Sequence, residues 1–238
     1  MNILIPMAGR GLRTKEYGEV KPLIRIKGKT MINWAIESLN LEGQYIFIVR
    51  DYGNDEWNKE LIDVLFSIKP TSIIHIIDYV TEGPGCSALI AKSDINNDEP
   101  LIITNSDQIL EWDSKDFERA IYNENIDGLV TTWDKIANTE SFIELDENGY
   151  GKRLIEKQII SKFPLNGIHF WKKGKYFVES TEKMIEADAR SGNGEFYISE
   201  SYNFMIKDGY KIGIYPMTSQ QHWPVGITSD IEKYLNRK

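Results

Sequence analysis

Near its start the chain reads Ile3-Leu4-Ile5-Pro6-Met7-Ala8-Gly9-Arg10-Gly11-Leu12-Arg13-Thr14. The first three residues form a continuous apolar run, which is typical of a strand buried on both faces of a parallel sheet. Gly9 and Gly11 then allow a turn in which backbone N–H groups approach phosphates closely. Because an open α/β sheet binds ligands beyond the carboxyl ends of its strands, this loop is a candidate ligand site.

The rest of the first half alternates short apolar runs with apolar residues at helical spacing. Strands are predicted over residues 3–5, 45–49, 73–77 and 101–104, and helices over residues 31–39, 56–67 and 87–92. Continuous apolar strands separated by helices are typical of a mostly parallel sheet that is covered on both faces. We therefore predict an α/β fold.

The second half of the chain has a more mixed pattern. Strands are predicted over residues 129–132, 141–145, 167–171 and 211–215, and helices over residues 176–187 and 197–207. Asp146-Glu147-Asn148-Gly149 is typical of a hairpin turn, because Asn-Gly tolerates the positive φ that such turns need. No linker rich in Pro, Gly or Ser divides the chain, which predicts a single domain over residues 1–238.

Charge and composition narrow the class of partner. The 238 residues carry a formal net charge of −8, so long-range attraction to nucleic acid or an anionic membrane is not expected. Cys86 is the only cysteine, and His75, His169 and His222 lack the spacing of zinc ligands. The N-terminal residues do not resemble a signal peptide, and no apolar run has the length of a membrane span. These features predict a cytoplasmic protein and leave the oligomeric state open.

Two basic residues follow the glycines of the loop. Arg13 can hold phosphate oxygens with two hydrogen bonds, and Lys21 can supply a compact positive charge. The loop lacks the Gly-Lys-Ser/Thr of a Walker A motif and the third glycine of the dinucleotide fingerprint. Gly9 and Gly11 alone fit a tight strand-to-helix turn as well as they fit a phosphate loop.

The pattern Gly-x-Gly-x-Arg-Thr, followed after a short gap by Lys21-Pro22-Leu23, resembles the signature loop of the sugar-phosphate nucleotidyltransferases. This family includes glucose-1-phosphate thymidylyltransferase and its cytidylyl and uridylyl relatives. The resemblance implies a Rossmann-like three-layer α/β/α fold in which Arg13 and Lys21 bind the triphosphate and act in catalysis. Ala8, Gly9 and Gly11 would contact the nucleotide, although Ala8-Gly9 replaces the paired glycines that are usual at this point.

Two further segments resemble the nucleotide side of the family site. Residues 82–88 resemble the segment that lies against the base, which implies nucleotide contacts by Gly83, Gly85 and Ser87. In isolation the same residues fit the beginning of a helix. Ser106 and Asp107 follow the fourth predicted strand, and the resemblance implies that Ser106 contacts nucleotide while Asp107 binds Mg²⁺. A carboxylate at this end of a strand is also well placed for Mg²⁺ by position alone, and the alternative is that Asp107 caps a turn.

Other segments resemble the acceptor side. Glu156-Lys157 resembles the family pair whose lysine contacts the acceptor phosphate, whereas in isolation it is a solvated charge pair. Residues 166–171 resemble the strand that carries a glycine beside the acceptor, here Gly167. Glu195 and Tyr197 can offer a carboxylate and a hydroxyl to a polar acceptor, and aromatic core packing is the simpler interpretation for neighbouring Phe196.

The last segment departs from the family pattern. Residues 225–231 resemble the family's Val-Gly-Thr-Pro-Glu-Asp-Leu segment, in which an aspartate two residues before the glycine also binds Mg²⁺. Here the glycine is Gly226 and the corresponding residue is Pro224, which has no side-chain oxygen. We therefore expect Asp107 to be the one carboxylate anchor and Mg²⁺ to arrive with the nucleotide. Asp230 is expected to cap its helix or face solvent.

The resemblance implies in-line attack by an acceptor phosphate oxygen on the α-phosphorus of a nucleoside triphosphate, with release of pyrophosphate. The implied partners are a pyrimidine nucleoside triphosphate and a small phosphorylated acceptor, with a sugar 1-phosphate as the main hypothesis. Phosphocholine, phosphoglutamine or another non-sugar phosphate is an alternative acceptor. A metal-dependent glycosyltransferase and a non-catalytic nucleotide-binding relative are alternative functions.

Overall fold

The structure is a computed structural model that describes residues 1–9 and 12–237, without the side chains of Leu12, Arg13 and Lys15. Its strands are β1 (Asn2–Pro6), β2 (Arg25–Ile26), β3 (Lys29–Thr30), β4 (Gln44–Arg50), β5 (Ile73–Ile77), β6 (Leu101–Thr104), β7 (Gln108–Leu110), β8 (Gly128–Thr132), β9 (Ser141–Leu145), β10 (Gly151–Glu156), β11 (Leu165–Trp171), β12 (Ile212–Pro216) and β13 (His222–Pro224). Its α-helices are α1 (Met31–Leu39), α2 (Asp55–Ile68), α3 (Pro84–Ala88), α4 (Lys92–Ile95), α5 (Ser114–Ile121), α6 (Gly174–Glu186), α7 (Ile198–Lys207) and α8 (Thr228–Leu235).

A seven-stranded sheet in the order β12-β8-β11-β6-β1-β4-β5 forms the centre of the fold. Strand β11 runs antiparallel to both of its neighbours, and the other adjacent pairs are parallel. The predicted mostly parallel sheet with a mixed C-terminal half is therefore confirmed. Its apolar strands are buried because helices cover both faces of the sheet.

The alternation of side chains along β1 shows the three layers directly. Ile3 and Ile5 pack into one apolar cluster with Leu61 of α2, whereas Leu4 packs into a second cluster on the opposite face with Phe177 of α6. Successive side chains of a strand point to opposite faces, so a fully apolar run supplies both cores at once. This arrangement confirms the Rossmann-like α/β/α architecture.

Among the residues that the structure describes, three short two-stranded sheets lie outside the central one, and they pair β2 with β3, β7 with β13, and β9 with β10. The last pair forms the hairpin that residues 146–149 predict. Strands β7 and β13 were not predicted, because three residues are too few for a periodic pattern.

The predicted helix over residues 87–92 is wrong in its extent. The chain forms α3, a 3-10 turn at Leu89–Ala91 and α4 instead. Helix α3 begins earlier than predicted because Pro84 occupies its first turn, where a missing N–H costs nothing. Over the described ranges, no helix is long and apolar enough to cross a membrane. A single domain over residues 1–238 stays a prediction.

Candidate functional site

The strand directions bring three loops to one edge of the sheet. The carboxyl ends of β1 and β6 meet there because these strands are parallel neighbours. The amino end of β11 lies at the same edge because β11 is antiparallel to β6, with Ile168 opposite Thr104. Gly167 consequently lies against the loop after β6, where a Cβ at Gly167 would come within 2.0 Å of Asn105 Nδ2. A side chain here would have to displace the amide of Asn105, and the φ of +89° favours glycine.

An ion pair joins two of the predicted site residues at this edge. Lys21 Nζ donates to Asp107 Oδ2 at 2.5 Å, and both side chains are mostly buried. The backbone of Asp107 is held by Val225 N, which donates to Asp107 O at 2.8 Å. Gly226 leaves room for the carboxylate, since a Cβ there would come within 2.6 Å of Asp107 Oδ2. The β7–β13 pairing thus positions Asp107 beside Lys21.

Arg13 lies in a 3-10 helix over Leu12–Tyr17, and Gly11 lies outside the described residues. This helix is tied to the C-terminal part of the chain, because Thr228 Oγ1 donates a hydrogen bond to Glu16 Oε1. The signature loop and the beginning of α8 are therefore neighbours in space.

A cavity of about 470 Å³ brings together four of the residues predicted to contact nucleotide: Ala8, Gly9, Gly83 and Ser87. Gly83 has a φ of +138°, and a Cβ on it would come within 2.6 Å of the backbone of Phe196. Ser87 Oγ lies 2.6 Å from Thr81 Oγ1, which holds the first turn of α3. We name this space the glycine cavity.

Of the three other predicted nucleotide contacts, Gly11 lies outside the described residues, and Gly85 and Ser106 do not line the glycine cavity. Gly85 packs against the chain near Phe196, whose carbonyl accepts from Gly85 N at 2.8 Å. Ser106 lies in the loop between Asn105 and Asp107 and is half-buried. Neither residue is among the described residues that line the glycine cavity.

A second cleft, of about 390 Å³, adjoins the glycine cavity, and Pro84 lines both. Its described lining includes three of the predicted site residues, Asp107, Gly167 and Tyr197. Glu195 lies on the glycine-cavity side instead, and its Oε2 accepts from Tyr197 OH at 2.8 Å. We name the second space the carboxylate cleft, after the acidic residues described below.

Lys157 is not among the described residues that line the carboxylate cleft; it lines a neighbouring cavity of about 730 Å³, and Glu156 lines both spaces. Lys157 adopts a φ of +54°, and its Nζ donates to Tyr197 OH at 2.7 Å. This hydrogen bond raises the pKa of Lys157, which keeps the ammonium group charged. Asn193 Nδ2 donates to the same hydroxyl at 2.9 Å, so Lys157, Tyr197 and Asn193 form one network.

Glu156 is the most buried carboxylate of the cleft, with 7% of its side chain exposed. Burial raises its pKa to about 7, and burial also raises the pKa values of Glu140 and Glu200. Ser141 Oγ donates a hydrogen bond to Glu156 Oε2. Sequence patterns give no sign of this group, because its members come from separate segments of the chain.

Two buried histidines line the same cleft and were not predicted as site residues. Burial lowers the pKa values of His169 and His222 to about 4, so both rings are neutral at physiological pH. His222 Nε2 lies 3.1 Å from Gln108 Oε1. His169 could have been noticed, because it lies two residues after Gly167 on a predicted strand; His222 lies on β13, which was not predicted.

Asp230 does not face solvent, contrary to the expectation from sequence. Its side chain is 17% exposed and lines the carboxylate cleft together with Asp107. It does not cap α8, whose N-cap is Ile227; instead its Oδ1 accepts from Lys233 Nζ at 3.3 Å. The first turn of α8 is directed toward the interior because Ile231 packs into a third apolar cluster, separate from the two that cover the central sheet.

The buried carboxyl of Glu156 should make the protein less stable as the pH rises toward neutrality. Its pKa rises from an ordinary 4.5 to about 7 in the folded state. The folded protein therefore binds this proton more tightly than the unfolded chain, and stability is full below about pH 4.5 and is lost between about pH 4.5 and 7. Glu156→Gln should raise the melting temperature more at pH 8 than at pH 5, by an amount equivalent to about 1–3 kcal/mol.

Thermal denaturation of the wild type and Glu156→Gln at the two pH values checks this expectation. Glu182→Gln is the matched control, because Glu182 pairs with Lys92 on the surface. Equal changes in melting temperature at pH 5 and pH 8 would contradict the role given to Glu156.

The chain resembles several known proteins. It is 28% identical over 224 residues to the bifunctional protein GlmU of Methanococcus vannielii, a match that covers 90% of this chain and 50% of that protein. The chain thus spans about half the length of this relative. No protein-family model matches the sequence.

Solved structures share the fold over nearly the whole chain. The nucleoside-diphosphate-sugar pyrophosphorylase from Vibrio cholerae RC9 superposes with a TM-score of 0.81 at 19% identity, covering 99% of this chain and 100% of that one. The inositol-1-phosphate CTP transferase from T. maritima superposes with a TM-score of 0.73 at 13% identity, covering 96% of this chain and 90% of that one. The chain is therefore a distant homologue of the GlmU proteins, and its fold is that of solved nucleotidyltransferases.

Proposed function

We propose that the chain is a Mg²⁺-dependent nucleotidyltransferase. It transfers a nucleoside monophosphate from a pyrimidine nucleoside triphosphate to a small phosphorylated acceptor, such as a sugar 1-phosphate, and releases pyrophosphate. The observation that carries the proposal is the pair of adjoining spaces at one sheet edge. The glycine cavity suits a nucleotide, and the carboxylate cleft, with Asp107 beside Lys21, suits the reacting phosphates.

In this proposal the basic residues bind the two phosphate-bearing substrates separately. Lys21 and Arg13 neutralise the triphosphate, and Lys157, beside Tyr197 of the cleft wall, holds the acceptor phosphate. Little acid–base chemistry is needed, because an acceptor phosphate is already ionised near neutral pH. Catalysis then depends on holding two anions that repel each other in line and on neutralising the charge that develops.

The oxygen donors at this edge fit a magnesium ion. Asp107 presents a carboxylate, and Mg²⁺ commonly binds through one or two carboxylates together with substrate phosphates and water. Within the described parts of the chain, no three acidic, histidine or cysteine side chains lie close enough to hold one ion. Asp107 would therefore hold the ion with help from the nucleotide, and the ion would neutralise phosphate charge.

Pyrophosphate release tests the proposed function. We expect release from CTP, UTP or dTTP only when Mg²⁺ and an acceptor phosphate are both present, in a matrix of the three nucleotides against phosphorylated acceptors. Release should stop when EDTA removes the metal. Sugar transfer from a nucleotide sugar without pyrophosphate would indicate a glycosyltransferase, and nucleotide binding without turnover would indicate a non-catalytic relative.

Lys157→Ala should raise the KM for the acceptor about 10- to 100-fold and leave nucleotide affinity nearly unchanged. Loss of a hydrogen-bonded charge on a phosphate costs about 1.5–3 kcal/mol. Steady-state kinetics and nucleotide calorimetry check this result. Lys152→Ala is the control, because Lys152 lies on the same strand as Glu156 and pairs with Glu144 at the surface. Equal losses of nucleotide and acceptor affinity would refute the role of Lys157.

A further inference from the structure

The hydroxyl of Tyr197 lies where three spaces of the candidate site meet. Tyr197 itself lines the carboxylate cleft. Glu195 lines the glycine cavity, whereas Lys157 and Asn193 line the cavity of about 730 Å³. These three residues are all hydrogen-bonded to one atom, Tyr197 OH. The position of this hydroxyl is therefore tied to each of the three spaces.

This hydroxyl already makes as many hydrogen bonds as a tyrosine can. A tyrosine hydroxyl donates one hydrogen bond and accepts two. Tyr197 OH donates to Glu195 Oε2 at 2.8 Å. It accepts from Lys157 Nζ at 2.7 Å and from Asn193 Nδ2 at 2.9 Å. Burial raises the pKa of Tyr197, so the hydroxyl keeps the proton that it donates. A substrate that bonded directly to this hydroxyl would have to displace one of its three partners.

The direction of the Lys157 side chain depends on this hydroxyl. The backbone is fixed independently, because Lys157 N donates to Glu140 O at 2.9 Å and Glu156 N donates to Glu200 Oε1 at 3.2 Å. The side chain is 46% exposed, and Glu156 Oε1 lies 3.8 Å from its Nζ, beyond hydrogen-bond distance. A flexible lysine side chain loses entropy when a ligand fixes it. The bond to Tyr197 fixes the ammonium group in advance and leaves two of its N–H groups for phosphate oxygens.

The position of the Tyr197 ring, in contrast, does not depend on its hydroxyl. Phe196 N donates to Glu82 O at 3.0 Å, and Gly85 N donates to Phe196 O at 2.8 Å. The backbone next to Tyr197 is thus bound to residues 82–85 by two hydrogen bonds, and Tyr197 is itself the N-cap of α7. Removal of the hydroxyl alone should leave the ring and the fold in place.

We propose that Tyr197 is a positioning residue whose hydroxyl directs Lys157 toward the acceptor phosphate, while Glu195 and Asn193 hold that hydroxyl. This inference rests on the proposed function, in which Lys157 holds the acceptor phosphate. It differs from the direct contact between Tyr197 and the acceptor that the sequence predicts. Because the ammonium group is ordered before the acceptor binds, the hydroxyl should contribute about 10-fold to acceptor recognition.

A double-mutant cycle of Tyr197→Phe and Lys157→Ala tests this role, with the acceptor that gives the fastest pyrophosphate release. Tyr197→Phe should reduce kcat/KM for the acceptor about 10-fold and change the Kd of the nucleotide by less than about 2-fold. In the Lys157→Ala background the same change should have an effect of less than about 2-fold, because the hydroxyl acts through the lysine. Asn193→Ala should act in the same direction as Tyr197→Phe, with a smaller effect.

Tyr215→Phe is the matched control for the loss of a tyrosine hydroxyl. Tyr215 lies on β12 at the end of the central sheet, and its hydroxyl donates to a carboxylate oxygen, Asp116 Oδ2, at 2.9 Å. This variant should keep the wild-type kcat/KM for the acceptor. Melting curves of all the variants show whether each one is folded at the assay temperature.

The outcomes separate this inference from the proposed function. An effect of Tyr197→Phe that is equally large in the Lys157→Ala background would indicate direct contact with the acceptor and would overturn the inference. Equal losses of nucleotide and acceptor affinity, or no loss of either, would also overturn it. All of these results leave the proposed function standing.

If no acceptor supports pyrophosphate release, the proposed function fails, and calorimetry with inorganic phosphate decides the inference. Phosphate binding that is weaker in Tyr197→Phe than in the wild type, but equal in Lys157→Ala with and without Tyr197→Phe, supports the positioning role. Any other pattern, absent phosphate binding included, overturns it.

Discussion

Replacing Lys21 by alanine should reduce kcat/KM for the nucleotide about 100-fold or more. Lys21 is the cation that lies beside Asp107 at the sheet edge, and loss of one preorganised charge at a developing anion costs on the order of 3 kcal/mol in transition-state stabilisation. The protein should stay folded but melt at a lower temperature, because removing one partner of a mostly buried ion pair costs stability, by up to about 3 kcal/mol. Steady-state kinetics with a parallel melting curve measures both effects.

The same variant should bind a divalent ion more tightly in the absence of nucleotide. In the structure Lys21 Nζ donates to Oδ2 of the Asp107 carboxylate, the group that would hold the ion, so the ammonium group would compete with the metal. Removing it should strengthen Mn²⁺ binding measured by calorimetry, while turnover falls. Lys59→Ala is the control, because Lys59 pairs with Asp63 on the exposed face of α2. A collapse of stability with activity retained per folded molecule would make Lys21 a structural residue.

Replacing Asp107 by asparagine should depress turnover about 100- to 1,000-fold and raise the Mg²⁺ concentration needed for half-maximal activity about 10-fold. The change removes the charge that anchors the ion but keeps the size of a side chain that lies against Gly226. Activity measured as a function of Mg²⁺ concentration checks both effects. Asp63→Asn, on the surface of α2, is the matched control.

A variant of Asp230 tests whether Asp107 is the single carboxylate that binds Mg²⁺. It lines the same cleft as Asp107, whereas the sequence predicted that it caps its helix or faces solvent. If Asp107 alone anchors the ion, Asp230→Ala should leave the Mg²⁺ requirement unchanged. Tight, stoichiometric Mg²⁺ binding to nucleotide-free protein that disappears in Asp230→Ala would show that the site has a second carboxylate ligand.

The sequence by itself determined the class of fold and the outline of the candidate site. Apolar runs such as residues 3–5 can be buried on both faces only in a covered sheet, and alternation with helices makes that sheet mostly parallel. The glycines around residue 9 and Asp107 follow predicted strands directly, so their placement at the carboxyl edge needs only the rule that parallel strands end together.

Only the tertiary structure decided which side chains meet. Lys21 and Asp107 are 86 residues apart, and their pairing depends on strands β7 and β13, which are too short to leave a pattern in the sequence. The inward orientation of Asp230 and the lack of hydrogen-bond partners for His169 Nδ1 and His222 Nδ1 among the described residues also depend on long-range packing. Periodicity reports which face of an element is buried, whereas long-range packing determines what that face touches, and a binding cleft is built from such contacts.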